Sequence, residues 1–173
     1  MIILHVVQKL LNTSGLKPVL YVSEPSEGQQ LHSWYAKLVP TGFAGKLMVM
    51  YVHEPSLLAV LTQGKSIKTT LPRFYERLPL LLQRWGFNPD FIAREMKLVQ
   101  EGFVVSKTDS RSMLGVMNEM TLHVELRGLK YSSFGLIDLD REEDILMEWL
   151  SFDKALGRFR FTNEYWKAKG VLL

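Results

Sequence analysis

Thr108-Asp109-Ser110-Arg111-Ser112-Met113-Leu114-Gly115-Val116-Met117-Asn118-Glu119-Met120 is the stretch around which the chain is organised. It sets a run of small polar groups directly ahead of a segment with helical periodicity. Asp109 or Ser110 can serve as N-cap, because a short side-chain oxygen accepts from the free N–H groups of a first helical turn. No proline interrupts the run after Arg111, and Gly128 supplies a stop. With about 100° of turn per residue, Met113, Val116, Met117, Met120 and Val124 share one face, and Leu122 and Leu126 lie nearly opposite. A helix apolar on two sides is expected to be central and covered by other elements. Arg111, Asn118 and Glu125 fall on one polar edge; Ser112, Glu119 and His123 fall on the other.

Two readings of those polar residues stay open. In the first, Arg111 and Asn118 are buried pegs that bond the helix to neighbouring loops, since buried polar groups need partners. In the second they are a ligand site, with Thr108, Asp109, Arg111, Ser112 and Asn118 around a helix N-terminus whose N–H donors suit a phosphate or carboxylate. The first is favoured, because Asp109 at the same end repels an anion.

The run from Thr108 to Glu119 resembles the signature of a family of small bacterial proteins known as a domain of unknown function, T-(D/N)-x-R-S-(V/M)-L-G-(S/V)-M-N-(D/E). Looser likenesses lie at Val6-Val7-Gln8-Lys9-Leu10 (C-T-K-K-L in the family) and Trp34-Tyr35-Ala36-Lys37-Leu38 (W-H-A-N-L). His53 stands where the family tends to carry asparagine. The resemblance spans roughly residues 1 to 125. It implies provenance and fold and carries no reaction with it.

The remaining chain reads as one domain, residues 1–173, with a family-like core over 1–127 and a C-terminal helical extension over 128–173. A hydrophobic content of 47% against 23% charged is that of a globular protein. With no cysteine, disulfides, thiolate catalysis and cysteine zinc sites are excluded. No apolar run reaches the roughly 18 residues of a membrane span, and no basic region precedes Ile2-Ile3-Leu4. A cytoplasmic protein without membrane attachment is expected.

Ile2 to Val7 reads as a central strand, and Val19 to Ser23 as a short one. Trp34 to Val39 and Lys46 to Val52 form a hairpin across Thr41–Gly45, with Tyr35, Lys37 and Val39 on one face and Trp34, Ala36 and Leu38 on the other. Pro55 is placed to open a short helix through about Leu61. Thr70-Leu71-Pro72 starts a helix to about Trp85, with Pro79 inside it, and Asn88-Pro89-Asp90 caps the next. Phe103 to Lys107 is a strand that rejoins the first sheet. Asp140-Arg141-Glu142-Glu143 has a capping-box pattern, and a last helix runs from about Thr162 to Lys169. The expected fold is α+β, a small mixed or antiparallel sheet with helices on one side and helix 111–127 central.

Arg73, Arg77 and Arg84 share a helix face, either solvated or offered to an anionic partner such as nucleic acid. Mild basicity, a net charge of +3 and a pI of 9.1, fits either use. His5, His32, His53 and His123 are scattered; Glu119 and His123 make an ordinary i,i+4 pair, and no metal site or cofactor is expected. Phosphate loops, dinucleotide fingerprints, His-Glu-x-x-His and Gly-x-Ser-x-Gly are absent from the sequence. No nucleophile–base pair stands out. The functional expectation is a non-enzymatic binding or accessory protein for an anionic small molecule or a macromolecular partner. Its alternative is a small hydrolase or nuclease using Asp109, Arg111, Ser112 and Asn118, with Lys9 or His53 brought near.

Overall fold

The chain alternates strands and helices, and a computed structural model describes residues 1–22 and 24–173. Among the described residues a five-stranded mixed sheet is built from β1 (Ile2–Val6), β2 (Ser33–Pro40), β3 (Leu47–His53), β4 (Ala59–Gln63) and β5 (Phe103–Lys107), in the order β4-β3-β2-β1-β5. β2, β3 and β4 run antiparallel, while β1 pairs parallel with both β2 and β5. β1 is interior, as its apolar, β-branched sequence requires. The parallel crossovers pass through α1 (Gln8–Ser14) and through the pair α2 (Ile67–Arg84) and α3 (Pro89–Gln100).

Strand alternation sorts the core into two layers. Leu4, Trp34, Ala36, Tyr51 and Val60 face one way, against Leu10 of α1, Phe74 and Leu78 of α2, Val99 of α3 and Trp166 of α6 (Thr162–Ala168). Tyr35, Val39, Met50, Val52 and Leu61 face the other way, against Met113, Met117, Met120 and Val124 of α4 (Arg111–Gly128) and Leu146 of α5 (Leu139–Met147). Helices therefore cover both faces, where the sequence suggested one. The reason is that the central strands carry apolar residues on both sides: β2, buried at six of its eight positions, cannot leave a face to water.

α4 lies on the second face with its methionine stripe inward, as read. Its opposite side is not covered: Leu122 and Leu126 are 56% and 55% exposed. The helix is thus a flank of a three-layer arrangement, and the expectation of cover on both sides is corrected.

Five local expectations also change. After His53 the chain turns through the cis Glu54–Pro55 bond and enters β4, so no helix opens at Pro55. Pairing with β3 decides this, since an unpatterned apolar run such as Leu57-Leu58-Ala59-Val60-Leu61 suits a doubly buried strand. Residues 19–22 form no strand, although the Val19 N–H donates to the Val105 carbonyl at 2.8 Å; Ser23 lies outside the described residues. α2 begins at Ile67, because Ser66 accepts from the Thr69 N–H, and it runs unbroken past Pro72 and Pro79. In the expected helical tail, β6 (Leu150–Asp153) and β7 (Arg158–Phe161) form a separate antiparallel hairpin, and Asp138 rather than Asp140 caps α5.

Glu95 shows how an acid can serve the fold. It sits on the buried face of α3, fully enclosed, and its Oε2 accepts from the Gln30 and Leu31 N–H groups at 2.9 and 2.8 Å. It thereby anchors the loop that leads into β2.

Candidate functional site

The start of α4 settles which residue caps it. Ser110, in extended backbone conformation, accepts from the Met113 N–H at 3.2 Å. Asp109 is left free to face the sheet and accepts from the Tyr35 hydroxyl at 2.7 Å. His5 stacks on Tyr35 with ring centroids 4.6 Å apart. Its Nδ1 lies 3.2 Å from the Lys107 carbonyl, which can only accept, so Nδ1 carries the proton, and 4.0 Å from Asp109 Oδ1. Burial, then the bond to Asp109, raises the Tyr35 pKa, while the same bond holds the Asp109 carboxyl below its usual range. Tyr35 thus stays protonated and Asp109 ionised at neutral pH. Tyr35 and His5 were not singled out as site residues. Tyr35 lies 74 residues from Asp109, and only strand register brings them together.

The other sequence candidates disperse. Thr108 is half-buried, and Arg111 and Ser112 are exposed on the first turn of α4. Ser112 Oγ lies 3.1 Å from Ser110 Oγ. Asn118 is exposed and accepts from the Lys37 ammonium, whose pKa burial lowers. Arg111 and Asn118 are therefore not buried pegs, because their helix edge faces water. Arg111→Ala is expected to move stability by no more than about 0.5 kcal/mol, and Asn118→Ala by less than about 1 kcal/mol. Urea unfolding of both variants checks this, and a loss of several kcal/mol in either would contradict the surface placement.

Lys9 is exposed on α1, and His53 lies at the end of β3 among Trp34 and Trp166, so both belong to the opposite side of the sheet from α4. His53 is fully buried and makes the nucleophile–base type of contact that the sequence did not reveal. Its Nε2 lies 2.8 Å from the Gln30 carbonyl and must donate, so Nδ1 accepts from the Ser56 hydroxyl at 2.7 Å. Ser56 in turn accepts from the Leu58 N–H at 3.2 Å. Both side chains are sealed from water, and burial pushes the imidazole pKa down to about 3. The pair pins the turn between β3 and β4 and can reach no substrate.

Of the arginine trio, Arg77 and Arg84 turn onto α5. Arg77 donates to Glu143 through Nε at 3.0 Å and Nη2 at 2.8 Å, and to Asp140 at 2.7 Å. Arg84 reaches Glu143 at 3.2 Å and Asp144 at 3.1 Å. Arg73 donates to the Gln63 carbonyl. Asp140, Glu143 and Asp144 of α5 are thus the partners of these arginines, a pairing that the capping-box reading of this segment did not anticipate.

A pocket of about 360 Å³ opens between the first turns of α4, the turn after β3 and the β6–β7 hairpin. Its wall is largely apolar, with Leu57, Met113, Val116, Phe152 and Tyr165, and Ser112 stands at its edge. Two cations line it, the exposed Lys154 and the enclosed Arg160. Arg160 is 6% exposed; its Nε donates to Asp153, its Nη2 donates to the Pro55 carbonyl at 3.3 Å, and its guanidinium lies 4.7 Å from the Tyr165 ring centroid. Its Nη1 is buried with no hydrogen-bond partner among the described residues. The signal was present in the alternation Arg158-Phe159-Arg160-Phe161, a two-residue period that places both arginines on one strand face.

Among the described residues no helix is long and apolar enough to cross a membrane. Residues 3–152 match the family described as Domain of unknown function (DUF6933), and the chain belongs to it. The match continues past Gly128 through α5 and into β6, farther than the sequence motifs reached. No curated protein and no solved structure shows significant similarity to the chain.

Proposed function

We propose that this DUF6933 member is a non-enzymatic binding protein that takes a small anionic ligand in the pocket between α4 and the β6–β7 hairpin. The observation that carries the reading is Arg160, an enclosed guanidinium in the pocket wall with one amino group unbonded. An enclosed donor left without an acceptor costs about 1–3 kcal/mol, which an accepting ligand atom would recover. Around it the apolar lining supplies contact area, and the size lies in the range of small-molecule pockets. The first-turn N–H groups of α4 beside Ser112 add positive potential. Asp109 keeps its charge, but it is 79% exposed and does not line the pocket, so water screens it from an anion there.

A hydrolase reading finds less support. Ser110 is committed as a cap, and the one Ser–His hydrogen bond among the described residues is sealed in the core.

The test is a titration of the ¹⁵N-labelled chain with sodium octanoate and with octyl phosphate, followed by amide shifts. Saturable shifts centred on Ser112, Phe152 and Arg160 with at least one of them are expected. Shifts from neither, or shifts confined to another face, would defeat the reading.

A further inference from the structure

We infer that the ligand is an amphiphile with one negative charge, a medium-chain or aryl monocarboxylate. The inference rests on the binding reading above and adds the class of molecule. Three features of the pocket lead to it.

The first is size. A volume of about 360 Å³ lies toward the lower end of small-molecule pockets. Octanoate or a phenylalkanoate fits within such a space.

The second is the division of the wall. Leu57, Met113, Val116 and Phe152 offer no hydrogen bonds to a ligand's body, whereas Ser112, Ser151, Lys154 and Arg160, whose Nη1 has no partner, supply the donors of the lining. A ligand matched to this wall is apolar along most of its length and carries its acceptor at one end.

The third is charge. The pocket is lined by two cations, Arg160 and Lys154, and by two carboxylates, Glu54 and Asp153. Asp153 already faces the Arg160 guanidinium across the hairpin. A single added negative charge meets Arg160 and the amino end of α4. A second would meet Glu54 and Asp153 with only the exposed Lys154 ammonium to offset them, and would lose more hydration on entry. A phosphate monoester dianion is disfavoured on both counts. A neutral alcohol leaves Nη1 facing a weaker acceptor, because hydrogen bonds to an ionised acceptor are the stronger ones.

The experiment uses the full chain at pH 7.5 with three probes of one chain length: sodium octanoate, octyl phosphate and 1-octanol, each titrated by calorimetry. Octanoate is expected to bind at least tenfold tighter than the other two. Arg160→Gln should cut octanoate affinity at least tenfold while leaving octanol unchanged. Because that variant could loosen the hairpin, Val116→Phe serves as a second probe: it should block octanoate by filling the pocket while the unfolding midpoint stays near that of the unsubstituted chain. Octyl phosphate binding as tightly as octanoate, or octanol doing so, would overturn the assignment of a monocarboxylate and leave the pocket as a binding site. Binding of none of the three would remove the site itself. Octanoate affinity unmoved in a folded Val116→Phe protein would place the ligand elsewhere and overturn the inference.

Discussion

Glu143→Ala is expected to lower the unfolding midpoint by roughly 10 °C, from a loss of about 3–5 kcal/mol at about 2–4 °C per kcal/mol for a chain of this size. The Glu143 side chain is fully enclosed, and it accepts from Arg77, from Arg84 and from the buried Leu61 N–H at 2.9 Å. One carboxylate therefore joins α5 to α2 and to the edge strand β4. Removing it leaves Arg77, whose side chain is only 20% exposed, with Asp140 as its remaining acid and its Nε without an acceptor, and orphans the Leu61 N–H. Both costs arise from unpaired groups rather than from the worth of the ion pair itself. Two controls separate them. Asp144→Ala, on the 42% exposed partner of Arg84, should cost no more than about 1 kcal/mol. Arg77→Met combined with Glu143→Leu should recover much of the Glu143→Ala loss, because the charges leave together. A Glu143→Ala midpoint within a few degrees of the parent would mean that this junction is wet.

That junction also shows where sequence reading ends. Arg77 and Arg84 share a helix face, and the face was legible as a stripe of positive charge. Its partners lie about 60 residues away on α5, and the acidic run there looked sufficient as a helix cap. Neither stripe announces the other, because opposite charges attract without a periodicity that marks the pairing. Strand alternation, in contrast, is local. Trp34/Ala36/Leu38 and Tyr35/Val39 were sorted correctly because side chains on a strand must alternate. β4 escaped for the opposite reason, since it is apolar on both faces and looks the same as a buried helical turn.

Within the candidate site, the α4 N-terminus was legible from Ser110 and the residues after it. Its surroundings were not. Asp109 meets Tyr35 through the parallel register of β1 with β2 and β5, a set of non-local pairings. Arg160 enters through a hairpin in a segment read as helical, and its enclosure depends on Asp153 opposite and Pro55 on the body. The two outward leucines of α4 misled for a physical reason. A single helix can keep Leu122 and Leu126 in water when its other face already buries four methionine and valine side chains, so apolar residues on two sides do not demand two neighbours.

Acidification should unfold this protein through His53, and the sign follows from its burial. The folded imidazole has its pKa pushed down from 6.5 to about 3 by burial, opposed in part by the Gln30 carbonyl, so it stays neutral where the unfolded chain binds a proton. The stability carried by the neutral form is complete above pH 6.5 and is lost as pH falls from there toward about 3. By pH 5 the loss from this one group is on the order of 2 kcal/mol, at about 1.4 kcal/mol for each pH unit below the unfolded value. His53→Asn removes the titrating group. It should be less stable than the parent at pH 7.5, because Asn cannot reproduce both the Ser56 and the Gln30 bonds. The gap between the two proteins should then narrow by about 2 kcal/mol on going to pH 5. His123, whose pKa burial also lowers, and the carboxylates held down at Asp109 and Asp153 are common to both proteins and cancel in the difference. Urea unfolding at pH 7.5, 6 and 5 measures the gap directly. A gap that stays constant over that range would show that the folded state accepts the proton at His53 as readily as the unfolded chain does, and the sealed Ser56–His53–Gln30 arrangement would have to be abandoned.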